Sequence, residues 1–206
     1  MIAHLFFKIK AFLNYRLKAV NAHGLHSPFL FDFYNEVISP KKEFYFFNRL
    51  RKLLPAYTKF ISENNALFLY RWGVFYKPKT VSVLSLNFPV ALTLSVSSTE
   101  KNLSLSSLHD YSSQELSVFE SEGVSLREDY CSDLIYVDKI DTFSKDVISN
   151  YKCIIIQNPH EHKAKDVFWK ELCSLKEISI SIDLFQFGIL LIDKNKSKQH
   201  FIVKMS

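Results

Sequence analysis

Glycine is scarce in this sequence, which has only four glycines among 206 residues. None of them lies between Gly73 and Gly123. Loops that cradle a nucleotide cofactor depend on glycine, because only a residue without a side chain lets the backbone turn tightly and approach the ligand closely. The absence therefore excludes a glycine-rich cofactor loop in the middle of the chain.

Cysteine is also rare, and the spacing of the cysteines does not fit a disulfide framework or a zinc site. The three cysteines, Cys131, Cys153 and Cys173, are widely separated and form no C-x-x-C pair. This spacing excludes a disulfide framework and a zinc knuckle. We expect all three to be small core residues in a protein of the reducing cytoplasm.

Long apolar runs are missing as well. Lys8 and Lys10 interrupt the apolar run at the start of the chain, and no small-residue cleavage site follows it. A helix that spans a bilayer needs about 18 to 20 consecutive apolar residues, and no later stretch approaches that length. The sequence therefore predicts neither secretion nor a transmembrane helix.

Positive charge and aromatic residues are concentrated at the start of the chain. Residues 1–60 hold ten basic and three acidic residues, a net charge of +7, whereas the remainder carries −2. Fourteen of the 31 aromatic residues lie in the same segment. Because 48% of the chain is hydrophobic, we expect one globular domain with a basic, aromatic N-terminal extension.

The first part of the sequence has the apolar spacing of helices. In residues 1–20, apolar side chains recur every three or four positions, which predicts an amphipathic helix. Serine and proline at the start of the next periodic segment predict a second helix over 28–38. A third helix is expected over 43–54 and a fourth over 65–76.

After Thr80 the sequence changes to short runs of β-branched and aliphatic residues, which predict strands. Helical spacing over 112–122 and 163–175 separates several of these runs, so we expect βαβ units and a mostly parallel sheet. The short polar link 193–198 predicts antiparallel pairing of the two runs that flank it. The predicted strands are TVSVLSL, NLSLSS, DLIYV, CIIIQ, ISISIDLF, GILLI and HFIVKM.

Two passages carry a resemblance to a known family. Residues 23–38 (HGLHSPFLFDFYNEVI) and 181–205 (SIDLFQFGILLIDKNKSKQHFIVKM) resemble the beginning and end of small bacterial class I S-adenosylmethionine-dependent methyltransferase-like proteins. The resemblance implies an α/β fold with a Rossmann-like sheet, mostly parallel, that ends in an antiparallel hairpin. It also implies a helical N-terminal segment, residues 1–64, packed on a methyltransferase-like domain, residues 65–206.

The resemblance implies positions for a cofactor site. The first strand of such a methyltransferase ends in a pattern like E-L-G-x-x-x-G, and the corresponding residues 85–91 read SLNFPVA. Serines around Ser106 replace the acid expected after the second strand, whereas Asp138 keeps the acid expected after a later strand. Asn87, Ser106 and Asp138 are therefore the cofactor-binding residues if the site is retained.

After the fifth strand the family carries two acids followed by a histidine, as in D-D-x-H. Here the corresponding residues are Gln157, Asn158, Pro159 and His160. An amide neither accepts a proton nor holds a cation strongly, so these positions suggest no general base and no metal ligand. His160 and His162 alternate in a loop and lack an identifiable third ligand, so we expect no metal and assign no catalytic residue.

Three further polar residues are expected to brace the fold. Asp183 lies among apolar residues of a predicted strand, where a carboxylate needs a hydrogen-bond donor, and we expect Lys198 or His200 to supply it. His23 and His26 flank a glycine turn and are expected to brace the second helix.

The altered cofactor positions favour a methyltransferase-like protein that has lost S-adenosylmethionine binding and catalysis and serves as a binding or scaffold module, with no cofactor. One alternative is an active S-adenosylmethionine-dependent methyltransferase with a divergent site. Another is binding to an anionic surface, either a membrane or a nucleic acid, through the basic N-terminal helices. The basic residues that would contact such a surface are Lys8, Lys10, Arg16, Lys18, Arg49, Arg51 and Lys52.

Overall fold

Internal contacts divide the chain into two compact units, one of residues 26–133 and one of residues 1–25 with 134–206. The division between residues 1–64 and 65–206 that the family resemblance implies stays a prediction. The computed structural model of the protein describes residues 2–21, 27–40, 44–53, 61–84, 87–105, 108–127, 132–193 and 195–205.

The unit of residues 26–133 begins with helices. Helix α2 spans Pro28–Phe33 and continues as a π-helical turn over Tyr34–Ile38. Helix α3 spans Phe46–Leu53, and helix α4 spans Glu63–Tyr76. These elements confirm the helices predicted over 28–38, 43–54 and 65–76.

The ends of α4 follow from local chemistry. The Ser62 side chain accepts a hydrogen bond from the Asn65 backbone N–H, which satisfies one of the free donors at the start of the helix. Lys77 ends α4 in the left-handed conformation with φ of 57°, and Pro78 follows. The helix therefore stops at the proline turn before the first strand.

Three parallel strands alternate with two helices in the same unit. Strand β2 lies between β1 and β3, and both pairings are parallel. This arrangement confirms the βαβ pattern predicted for this part of the chain. The elements, in chain order, are β1 Thr80–Leu84, α5 Phe88–Ser97, β2 Asn102–Leu105, α6 Ser113–Ser121 and β3 Ser125–Arg127.

The unit of residues 1–25 and 134–206 combines an N-terminal helix with five strands. The strand order is β4-β5-β7-β6-β8, and β7 alone among these strands runs antiparallel to its neighbours. The mostly parallel α/β fold with a helical N-terminal part is thus confirmed. The elements are α1 Ile2–Lys18, β4 Leu134–Val137, β5 Cys153–Gln157, α7 Lys163–Ser174, β6 Ile180–Asp183, β7 Phe187–Leu191 and β8 Gln199–Ile202.

The antiparallel hairpin joins β6 to β7, and the predicted pairing of β7 with β8 is wrong. A short turn closes the hairpin, with the Leu184 backbone N–H donating to the Phe187 carbonyl at 2.9 Å. The other edge of β7 is taken by β5. Strand β8 therefore pairs in parallel with the outer edge of β6, where Ile182 faces Phe201.

The centre of this sheet is buried on both faces. Every residue of β4 is buried, and so is every residue of β5 except Gln157. A continuous apolar strand of this kind is typical of a parallel sheet that is covered on both sides. The runs LIYV and CIIIQ therefore form the buried centre of this sheet.

Gly188 in β7 is required by its close approach to Trp169 of α7. A methyl group at position 188 would lie 2.5 to 2.8 Å from three atoms of the Trp169 ring. The ring is 2% exposed and cannot move into solvent. We expect Gly188→Ala to lower the free energy of unfolding by about 1 to 3 kcal/mol, measured by urea denaturation.

A double-mutant cycle isolates this contact. Trp169→Phe removes the ring atoms that the added methyl group would strike, so Gly188→Ala should cost about 1 kcal/mol less in the Trp169→Phe background than in the wild type. Strictly additive losses in the double variant would show that the close approach does not determine the choice of glycine.

Candidate functional site

His160 is a buried histidine held between two carboxylates. Its Nδ1 lies 2.6 Å from Asp166 Oδ1, and its Nε2 lies 2.7 Å from Asp183 Oδ2. Because carboxylates are acceptors, both ring nitrogens must donate, which makes the ring an imidazolium. Burial alone lowers the pKa of His160, but the hydrogen bonds and charges of Asp183 and Asp166 outweigh it and raise that pKa above its usual value.

Lys170 completes the cluster on the side of Asp166. Its Nζ donates to Asp166 Oδ2 at 2.5 Å. Burial raises the pKa of Asp166, but Lys170 and His160 outweigh this effect, so the pKa lies below its usual value. The four groups His160, Asp166, Asp183 and Lys170 therefore carry two positive and two negative charges, which balance.

Three elements meet at this cluster. His160 lies in the loop between β5 and α7, Asp166 lies in the first turn of α7, and Asp183 is the last residue of β6. The His162 side chain caps α7 by accepting from the Lys165 backbone N–H, which fixes the first turn next to His160. The charge cluster thus ties the ends of β5 and β6 to the start of α7.

Helix α1 packs beside the cluster through aromatic rings. The ring of Phe185 stacks on His160 at 5.5 Å and contacts Phe12 and Tyr15 at 5.1 and 5.3 Å. The Tyr15 hydroxyl donates to the Val203 carbonyl at 2.7 Å, and burial raises the pKa of Tyr15 to about 12. Tyr15 is therefore a neutral donor that anchors α1 just after β8.

A cavity of about 460 Å³ lies between α1, α7 and the strands β6 and β8. This volume suits a small organic molecule. Helix α1 contributes Lys10, Asn14 and Lys18 to its lining, and the charge cluster contributes His160 and Asp183.

The cavity carries an excess of positive charge. The cluster around His160 is balanced, and neither Lys10 nor Lys18 has a carboxylate within ion-pair distance in the part of the chain that the structure describes. Burial lowers the pKa of His200, whose Nδ1 lies 2.7 Å from the Ser181 hydroxyl, so this ring is neutral near pH 7. The two lysines therefore favour an anionic ligand.

Cys173 also lines the cavity, but its chemistry is not that of a nucleophile. Burial raises the pKa of its thiol to about 12. A nucleophilic cysteine needs a lowered pKa, because the thiolate is the reactive form. Cys153 is buried in β5, as expected for a small core residue, and Cys131 lies outside the described residues.

The predicted cofactor residues lie in different settings. Asn87 belongs to the unit of residues 26–133, where its side-chain oxygen accepts from the Val90 N–H at 3.3 Å and caps α5. Ser106 lies outside the described residues. Asp138 follows β4 in the other unit, and its Oδ1 is buried without a hydrogen-bond partner among the described residues. Their role in cofactor binding stays a prediction.

Gln157, the last residue of β5, and Asn158 after it both form hydrogen bonds within the protein. The Tyr136 hydroxyl donates to Gln157 Oε1 at 2.7 Å. Asn158 adopts a left-handed conformation with φ of 47°, and its N–H donates to the Gln186 carbonyl. The nearby ammonium group of Lys165 is buried and donates to the Asp138 carbonyl and to Glu161. Among the described residues, no group of three histidine, cysteine or acidic side chains is arranged to hold a metal ion.

The structure corrects the expected partner of Asp183. Neither Lys198 nor His200 pairs with this carboxylate; Lys198 instead donates to the carbonyls of Ser174 and Leu175. Asp183 pairs with His160 because the β6–β7 turn brings the end of β6 next to the loop after β5. His23 and His26, which were expected to brace the second helix, lie outside the described residues.

The basic residues of the N-terminal segment differ in their surroundings. Arg49 forms an ion pair with Glu122, and Arg51 pairs with Glu63 at 2.8 Å. In α1, by contrast, Lys8 and Arg16 are exposed. No helix in the described parts of the chain is both long enough and apolar enough to cross a membrane.

Comparison with known proteins supports the fold. The chain matches no protein-family model, and no curated protein matches it either. It is similar to the crystal structure of a methyltransferase from Geobacter sulfurreducens, with a TM-score of 0.52 and 11% sequence identity. The similarity covers 75% of this chain and 91% of that one, so the chain has a methyltransferase-like fold. At this identity the similarity says nothing about activity.

Replacing His160 should expose the cost of two buried carboxylates. We expect His160→Gln to lower the free energy of unfolding by about 3 to 5 kcal/mol, because Asp166 and Asp183 lose the cation between them. His162→Asn is the matched control, since asparagine also caps a helix, and it should cost less than about 1 kcal/mol. Urea denaturation measures both.

The pH dependence provides a second test of the same cluster. The raised pKa of His160 means that its contribution to stability is complete below the unfolded-state pKa and is lost as the pH rises through the folded-state pKa. The stability difference between wild type and His160→Gln should therefore shrink at alkaline pH. A constant difference across that range would contradict the imidazolium assignment.

Proposed function

We propose that this chain is a methyltransferase-like protein that no longer binds S-adenosylmethionine and acts as a binding module. The start of α5 carries the proposal. Phe88 is 3% exposed and packs edge-on against Phe119 at 5.2 Å, and Val90 is fully buried. Side chains thus occupy the segment in which a methyltransferase needs glycine beside its cofactor.

Asn87 supports the same conclusion. Its amide oxygen caps α5, so the start of the helix is stabilised by a side chain of the protein itself. Pro89 lies in the first turn of the helix, where it has no N–H to offer a ligand. Helix α5 thus begins with asparagine, phenylalanine and proline and without the glycines that would let a cofactor approach the backbone.

Gln157 at the end of β5 also supports the proposed loss of methyl transfer. Gln157 accepts from Tyr136, and burial together with the charge of Asp138 raises the pKa of Tyr136 well above its usual value. Tyr136 is therefore a fixed donor, and Gln157 has no charge with which to take a proton from a substrate. Neither residue supplies a base for methyl transfer.

Titration with S-adenosylmethionine and S-adenosylhomocysteine tests the loss of the cofactor. We expect no binding at about 1 mM of either compound by isothermal calorimetry, which corresponds to a binding free energy weaker than roughly −4 kcal/mol. A cooperative thermal unfolding transition in the same sample confirms that the protein is folded. Micromolar binding with one cofactor per chain, abolished by Asp138→Asn, would instead establish a divergent but functional cofactor site.

The cavity beside α1 is the binding site that we propose for this module. It is large enough for a small molecule, and it is lined by Trp169 and Phe7 as well as by polar groups. Within the described residues, the ammonium groups of Lys10 and Lys18 in its lining form no ion pair. A small organic anion that carries a carboxylate or phosphate group fits this chemistry.

Pyrophosphate is a simple probe of this site. At constant ionic strength it should raise the melting temperature of the wild-type protein in a saturable manner, because a ligand that binds only the folded state stabilises it. Lys10→Ala and Lys18→Ala should each reduce the shift. Lys8→Ala, on the same helix but outside the cavity lining, is the matched control. An equal shift in all variants would mean that pyrophosphate acts only through general ionic effects.

A further inference from the structure

Helix α1 presents an apolar face to solvent. Six of its large apolar side chains are exposed, with Phe6 68% and Leu17 85% accessible. Such a continuous apolar strip is unusual on a free protein surface and marks a surface that binds something. The six residues are Leu5, Phe6, Ile9, Phe12, Leu13 and Leu17.

This exposed face is opposite to the face that packs on the protein. Phe7, Ala11 and Tyr15 follow one another at intervals of four residues and line the cavity. The exposed series at positions 5, 9, 13 and 17 has the same interval but is offset by two residues, which is about 200° around a helix. The residues at positions 5, 9, 13 and 17 therefore face away from their own unit while Tyr15 is bound to Val203. Phe12, which is 43% exposed, also contacts Phe185.

The charge of α1 complements an anionic surface. Residues 2–18 contain no aspartate or glutamate and four basic residues, Lys8, Lys10, Arg16 and Lys18. Lys8 and Arg16 do not line the cavity. A basic helix with an exposed apolar face is suited to lie in the plane of an anionic bilayer, with its apolar side chains at the boundary of the headgroups. The long side chains of Lys8 and Arg16 can extend from that boundary to the headgroups.

Other partners fit this face less well. A nucleic acid offers phosphates to the basic residues, but its backbone gives six exposed apolar side chains nothing to pack against. A second copy of the chain would bring two acid-free, basic helices together, and their like charges would repel.

We propose that α1 docks the protein onto anionic lipid bilayers by inserting its exposed apolar face. Tyr15 and Phe185 hold the opposite face of the helix on the folded protein, so the helix binds the bilayer surface without leaving its unit. Lys8 and Arg16 provide the preference for anionic lipid. This proposal is independent of whether the chain binds S-adenosylmethionine.

Vesicle sedimentation tests the docking surface. The purified full chain should pellet with vesicles of phosphatidylcholine that contain about one third phosphatidylglycerol, and far less with pure phosphatidylcholine. Leu13→Ser with Leu17→Ser should reduce the partition coefficient about tenfold or more, because both residues insert into the bilayer. Both are exposed in the free protein, so the fold should be unaffected.

Two further variants separate apolar insertion from charge. Val167→Ser changes an exposed apolar residue on α7 and should leave binding unchanged, which makes it the matched control for the leucine variant. Lys8→Ala with Arg16→Ala should weaken binding at low ionic strength and have little effect at high salt, where surface charges are screened.

Three outcomes would overturn the proposal. The first is no pelleting with anionic vesicles at low salt. The second is salt-sensitive binding to a homopolymeric RNA without vesicle binding, which would identify a nucleic-acid surface. The third is a dimer by light scattering that the leucine variant converts to a monomer, which would identify a second copy as the partner of α1.

Discussion

The imidazolium of His160 between Asp166 and Asp183 is the interaction on which this part of the molecule depends. It joins the loop after β5, the start of α7 and the end of β6, and Phe185 stacks on its ring. A buried ion cluster of this kind is not a source of stability compared with an apolar core of the same shape. The cluster instead fixes the relative positions of these three elements, because each charge requires its partners at a fixed distance. Phe185 stacks on His160 and contacts Tyr15, so the position of the cluster also determines where α1 packs.

The orientation of helix α1 is determined by its contacts with Phe185 and Val203. The Tyr15 hydroxyl donates a hydrogen bond to the Val203 carbonyl, and its ring packs on Phe185. One face of the helix is therefore packed against the protein. Lys10 and Lys18 line the cavity, whereas Leu13 and Leu17 are exposed on the other side of the helix. The usual orientation of an amphipathic helix is apolar face inward. In α1, apolar side chains instead lie on both faces, with Phe7 and Tyr15 towards the protein and Leu13 and Leu17 towards solvent.

Periodicity and turn chemistry predicted most elements of this fold but not their partners. The runs LIYV and CIIIQ are recognisable as strands because they are rich in β-branched and aliphatic residues. Helix α5 had no signal, since nearly all of its residues are buried and no amphipathic period remains, and β3 had none because Ser125 and Arg127 are exposed. The pairing of β8 and the link between Asp183 and His160 depend on which strand edge is free, which spacing along a sequence does not encode. The sequence indicates that Asp183 needs a hydrogen-bond donor, but it does not identify His160 as that donor.

The fold and the cofactor loop have separable physical requirements. Parallel pairing of β1 with β2 and of β4 with β5 rests on backbone hydrogen bonds and apolar burial, neither of which needs glycine. The start of α5 is stabilised by the Asn87 cap, and Phe88 adds to the core by packing on Phe119. The strand pairing therefore does not depend on glycine after β1. Two features of the described residues support the proposed binding role. They are the cavity lined by Lys10 and Lys18 and the exposed apolar side chains of α1, such as Leu13 and Leu17.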